Sequence, residues 1–151
     1  MSEMSAREQR ALALFGEGYS CAQAVMGAFA DDLPLERSAL LRMTSSMGAG
    51  MGRLREVCGA VTSMLLIDGL RHGPDSPDPD RKAAQYARVQ ALCKRFEAQF
   101  GSIICRELLG RAGAEPPTPE KRDSHYYSSR PCARLVAGAV RILEENWEES
   151  K

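Results

Sequence analysis

The sequence predicts an all-α single domain. Apolar residues recur at i, i+3, i+4 and i+7 in segment after segment, capping residues stand ahead of those segments, and no run alternates apolar with polar residues as a half-buried strand would. A bundle of about six or seven helices is expected, with a long loop near residues 111–130. The 151 residues fit one domain, 1–151, large enough to bury a core without cross-links.

Taken in order, Ser5-Ala6-Arg7-Glu8 reads as a capping box opening a helix through Ala11, Leu12, Leu14 and Phe15 that stops at Gly16 and Gly18. Ser20 is an N-cap for a second helix whose buried face is Cys21, Ala24, Val25, Ala28 and Phe29. Pro34 lies near the start of a third, through Glu36, Leu40, Leu41 and Met43. The run Met47-Gly48-Ala49-Gly50-Met51-Gly52-Arg53 then gives the backbone access to positive φ before an apolar helix begins at Cys58. Pro74-Asp75-Ser76-Pro77-Asp78-Pro79 is a breaker. Beyond it a long helix from about Asp80 to Phe100 carries a seam of Tyr86, Val89, Cys93, Phe96 and Phe100. Ser102 is placed to cap a short helix from Cys105 into Leu108 and Leu109. Pro131 opens the last helix, with Cys132, Leu135, Val136, Ala139, Val140 and Leu143 on one face.

Four of the five cysteines therefore share one placement. Cys21, Cys58, Cys105 and Cys132 each stand in the first turn of a helix and head its apolar face, so their sulfurs should look inward and can converge. A helix N-terminus presents unpaired N–H groups and the positive end of the dipole, which favour thiolate over thiol. Thiolate is both the nucleophile of disulfide chemistry and a ligand for soft metals. Cys93, in mid-helix, has no such terminus and belongs to core packing.

These residues resemble the C_GCAxxG_C_C proteins, small bacterial proteins regarded as redox-active, with four characteristic cysteines. Cys21, in Gly18-Tyr19-Ser20-Cys21-Ala22-Gln23-Ala24-Val25, is similar to the first; Cys58-Gly59-Ala60 is similar to the central motif; Cys105 and Cys132 match the third and fourth. The likeness runs over roughly residues 8 to 145. Ser63 departs from it, standing where the motif ends in glycine. The resemblance implies a redox-active protein without naming a substrate, and makes Cys21, Cys58, Cys105 and Cys132 the candidate catalytic residues, with Gly59 and Ala60 as candidate cofactor contacts.

Two chemistries suit four convergent cysteines. One is thiol/disulfide or electron exchange, with Cys58 the candidate attacker because flexible glycines, Arg53 and Arg55 precede it, and Cys21, Cys105 or Cys132 resolving. The other is ligation of zinc or an iron-sulfur cluster by the same Cys21, Cys58, Cys105 and Cys132. The lack of any Cys-x-x-Cys pair excludes thioredoxin-like, zinc-ribbon and ferredoxin spacings. A helical interaction module with inert cysteines is the third reading.

Twenty basic residues balance twenty acidic ones, so no strong field attracts nucleic acid, and no run reaches membrane-spanning length. A polar N-terminus without a signal region and an odd cysteine count fit a cytoplasmic protein without a static disulfide framework. The redox partner is not written in the sequence, and pairing as a homodimer is left open. Gly48, Gly50 and Gly52 have the wrong spacing for a dinucleotide loop. The 111–130 segment carries His125, Tyr126 and Tyr127 just before Cys132. It can either fold back over the cysteines as a lid or merely anchor itself.

Overall fold

The computed structural model describes residues 3–147. Within them the chain forms eight α-helices: α1 Ala6–Gly16, α2 Cys21–Phe29, α3 Arg37–Thr44, α4 Gly59–His72, α5 Pro79–Phe100, α6 Cys105–Leu109, α7 Ser124–Ser129 and α8 Cys132–Glu145. Short 3₁₀ turns follow α2 and α3 at Ala30–Asp32 and Ser45–Met47. Among the described residues the only extended pairing is an isolated antiparallel bridge between Val57 and Ile104. None of the described helices is long and apolar enough to cross a membrane.

α2 is the axis of the bundle. Ala22, Ala24, Val25, Met26, Gly27, Ala28 and Phe29 are all buried, and α1, α3, α4 and α8 pack around it. Its alanines and glycine let neighbouring helices come close; a β-carbon on Gly27 would lie 2.6 Å from Leu14 Cδ1. α8 supplies the expected face of Leu135, Val136, Ala139, Val140 and Leu143. The capping box expected at Ser5 and Glu8 is present, and Ser20 forms a second one with Gln23.

Two buried carboxylates tie this core together. Glu8, only 3% exposed, accepts from Arg141 Nη2 at 3.0 Å and joins α1 to α8. Asp68 accepts from Arg88 Nη2 at 2.5 Å and from Gln85 Nε2 at 2.9 Å, joining α4 to α5. A charge at such depth is tolerated because it is paired and hydrogen-bonded, and removal of the arginine would leave a buried carboxylate without its counter-charge.

Three local features differ from the sequence-based expectation. The 111–130 segment contains a helix, α7, capped by Asp123, whose carboxylate accepts from Tyr126 N at 2.9 Å. α6 is led by Ile104 rather than Ser102; the Ser102 hydroxyl instead accepts from Ile104 N and donates to Glu107 Oε1. On α5 only Leu92 and Phe96 are buried, and Tyr86 is 56% exposed, because the N-terminal half of that helix extends past the core. Phe96→Ala should lower unfolding free energy in urea by about 3–5 kcal/mol, while Tyr86→Ala should change it by less than about 0.5 kcal/mol.

Candidate functional site

The site is made by backbone that runs the wrong way for L-residues. From Ala49 to Arg55, Ala49 (φ 56°), Met51 (φ 70°), Arg53 (φ 72°) and Arg55 (φ 60°) are left-handed alongside Gly50 and Gly52. Each non-glycine residue there costs about 1–2 kcal/mol, so tertiary bonds must hold the segment. They do: Glu56 N donates to Gly50 O at 2.9 Å, Cys105 N to Glu56 O at 2.6 Å, Arg106 N to Arg55 O at 3.2 Å, Cys58 N to Ile103 O at 2.8 Å and Glu115 N to Arg53 O at 2.9 Å. Gly50 is required by contact as well as by φ. A β-carbon there would sit 2.7 Å from Arg55 Cα, Cys105 Cβ and Glu56 N.

This turn delivers Cys58 as the N-cap of α4, beside Cys21 at the first residue of α2. Gly59 makes the approach possible: a β-carbon on it would lie 2.8 Å from both Cys21 Sγ and Met47 O. Ser63, which departs from the family pattern, is fully buried and donates from Oγ to Ala22 O at 2.6 Å. Its hydroxyl thus ties α4 to the first turn of α2. Ala60 is fully buried in the core behind the site.

Cys21, Cys58, Cys105 and Cys132 all line one cavity of about 480 Å³. Cys93 lies outside it, packed half-buried against the core. The cavity's charged lining is Arg53, Arg55, Arg122, Arg130 and Glu120, and its apolar lining includes Phe15, Leu108, Leu109, Pro117 and Leu135. Gly59 contributes to the wall. The 111–130 segment closes one side through Pro117, Pro119, Glu120, Arg122, Tyr126 and Arg130. An ion-pair net clamps it there. Arg55 Nε meets Glu115 Oε1 at 2.5 Å, Arg111 meets Glu115 at 2.6 Å and Glu120 at 3.2 Å, and Arg130 pairs with Glu120. Arg122 is held by the carbonyls of Phe15 and Tyr19, both at 3.0 Å, and packs over the rings of Phe15 and Tyr126. Tyr127 packs edge-on against Phe15, whereas His125 is exposed and does not line the cavity.

The four thiols differ in their surroundings. The neighbouring Cys58 thiol, with the backbone N–H groups of Ala49, Ala22 and Gly59, holds Cys21 down to about 6 despite its burial. Cys58 is pushed well up, first by the neighbouring Cys21 and then by its own burial. Cys105 is raised by burial, although Arg55 Nη1 donates to its sulfur at 3.5 Å. The amides at the start of α6 cannot help it, since Cys105 N and Arg106 N are already bonded to Glu56 and Arg55. Cys132 is raised to about 11 by burial and by the charge on Cys21, against the opposing pull of Arg130. Tyr126 is pushed up to about 12 by burial and stays a neutral phenol in the cavity wall.

Arg53 and Arg55, expected beside Cys58, line the same cavity but make their side-chain bonds to other groups. Arg53 reaches Pro116 O at 2.7 Å, and Arg55 reaches Glu115 and Cys105. Solvent access likewise favours Cys21, which is half-buried, over Cys58, which is 4% exposed. As for a metal, the four sulfurs share a cavity, but among the described residues no three His, Cys, Asp or Glu side chains are grouped to hold one ion. Gly59→Ala should cost about 1–3 kcal/mol in unfolding free energy, because the methyl meets the Cys21 sulfur and a backbone oxygen. Gly69→Ala, on the same helix with nothing within 4 Å, should be neutral or stabilising by up to about 1 kcal/mol.

No curated protein and no solved structure matches the chain. A family model does match residues 19–146, spanning all four cavity cysteines; its description is "Putative redox-active protein (C_GCAxxG_C_C)". The chain belongs to the C_GCAxxG_C_C family.

Proposed function

We propose that the protein carries out thiol–disulfide exchange, with Cys21 as the attacking thiolate and Cys58 as the resolving thiol. The observation that carries this reading is the placement of Cys21 and Cys58 at adjoining helix starts in one cavity, packed together at Gly59, with Cys21 the more exposed of the two and held down to about 6 by its neighbour. At neutral pH this favours the thiolate form of Cys21. A thiolate whose pKa lies near ambient pH combines availability with nucleophilicity, and the raised Cys58 keeps its proton until the second step.

The chemistry closes without a cofactor. Cys21 thiolate attacks one sulfur of a disulfide RS–SR′, forming Cys21–S–SR and releasing R′S⁻. Cys58 then gives up its proton and attacks the Cys21 sulfur, forming the Cys21–Cys58 disulfide and releasing RS⁻. The two protein thiols are oxidised by two electrons and the substrate disulfide is reduced to two thiols, which take up the protons. An external dithiol restores the reduced protein by the reverse sequence. Cys105 and Cys132, each beside a guanidinium and held as thiols, stand in the same cavity outside this two-electron cycle.

Iodoacetamide alkylation of Cys21 should rise with pH through a midpoint near 6 as the thiolate forms. In Cys58→Ala the midpoint should move toward the ordinary thiol range, whereas Cys58→Ser, which keeps a donor, should hold it low. A midpoint at the ordinary thiol value in the unaltered protein would count against Cys21 as nucleophile. With the neutral probe bis(2-hydroxyethyl) disulfide, the reduced protein should release two equivalents of mercaptoethanol. Cys58→Ser should stop after one, as the mixed disulfide on Cys21, and Cys93→Ser should behave as the parent. No release of mercaptoethanol would refute the reading.

A further inference from the structure

The cavity has a second feature that thiol exchange does not require. Arg55 is 1% exposed, its Nε is bonded to Glu115 and its Nη1 to Cys105, and among the described residues its Nη2 has no hydrogen-bond partner. A buried guanidinium nitrogen without an acceptor is costly, and charged donors are normally satisfied when water is excluded. Arg55 lines the same cavity as the four cysteines.

The charge around it points the same way. In a chain with equal numbers of basic and acidic residues, the cavity lining concentrates four guanidiniums, Arg53, Arg55, Arg122 and Arg130, against the single carboxylate of Glu120. Glu115 and Glu120 are shared among Arg53, Arg55, Arg111 and Arg130, so neither can neutralise every cation it touches. Arg122 is held by carbonyls rather than by a carboxylate. A low-dielectric pocket with this excess raises the local concentration of anions.

Resting on the thiol-exchange reading, we infer that the substrate is a small disulfide bearing carboxylates, and that Arg55 Nη2 receives one of those carboxylates while Cys21 attacks the sulfur. The cavity volume of about 480 Å³ admits a molecule of that size, not a folded protein. Phe15, Leu108 and Leu135 in its wall suit the aliphatic part of such a ligand. Arg55 is here a specificity-determining residue: it leaves the electron bookkeeping of the exchange unchanged and selects which disulfide enters.

The test is a charge series in single turnover of the reduced protein. The probes are dianionic 3,3′-dithiodipropionate, neutral bis(2-hydroxyethyl) disulfide and dicationic cystamine. The dianion should react at least about tenfold faster than the neutral probe, and cystamine slower still. Arg55→Gln should remove most of the dianion's advantage, read as the ratio of the dianion rate to the neutral rate within the same variant. Equal rates across the series in the unaltered protein, or an undiminished dianion preference in Arg55→Gln, would overturn the inference. Failure of every probe to react would instead refute the exchange reading. A second measurement survives any folding defect in the variant: suberate, the redox-silent carbon analogue of the dianion, should slow iodoacetamide alkylation of Cys21 in the unaltered protein. The neutral analogue 1,8-octanediol should not. Equal protection by both, or by neither, would overturn the anion site.

Discussion

The missing β-carbon at position 59 is the constraint on which the rest of the site depends. It lets the Cys21 sulfur settle against the first residue of α4, where it meets the Cys58 thiol and the amides at the edge of the turn. That contact joins α2 and α4 at their N-terminal ends, so the packing of α2 against α4 and the chemistry of Cys21 are one arrangement. Ser63 strengthens the same junction through its bond to Ala22 O. The family's glycine at that place would leave the carbonyl without this hydroxyl partner.

Around that junction the structure combines strain with clamping. Four non-glycine residues between Ala49 and Arg55 occupy left-handed backbone, a state that isolated chain would abandon. Bonds to α6, to the Val57–Ile104 bridge and to Glu115 hold it in place. The 111–130 segment is therefore part of the site's construction and not only a cover: its Glu115 anchors Arg55, and its Arg130 stands beside Cys132. Loss of the ion-pair net would free the loop and the strained turn together, which couples access to the cysteines with the geometry of Arg55.

Much of the fold was legible because helical periodicity and caps act locally. The faces of α2 and α8, the box at Ser5 and Glu8, and the placement of Cys21, Cys58, Cys105 and Cys132 at helix starts follow from residue spacing. The direction of Arg53 and Arg55 was not legible. Both precede Cys58 in sequence, but a run of positive φ from Ala49 to Arg53, resumed at Arg55, reverses the chain and sends Arg55 to Cys105 and Glu115. α7 was missed because Ser124–Ser129 has few strong helix formers, and is held by Asp123 and by Tyr126 and Tyr127 packing on Phe15. The low pKa of Cys21 also lay beyond sequence reading. All four cysteines stand at helix starts, but only Cys21 is held down by a neighbouring thiol, and at Cys105 the first two amides are bonded to Glu56 and Arg55.

The measurement that tests the central claim most directly is disulfide mapping across a redox titration. Protein equilibrated at a series of dithiol/disulfide ratios is quenched with acid and alkylated, and its peptides are identified by mass spectrometry. The account predicts one reversible two-electron transition in which the peptide containing Cys21 becomes linked to that containing Cys58, while Cys93 remains a free thiol throughout. Persistence of free Cys21 and Cys58 under fully oxidising conditions, or a first disulfide that omits Cys21, would contradict it.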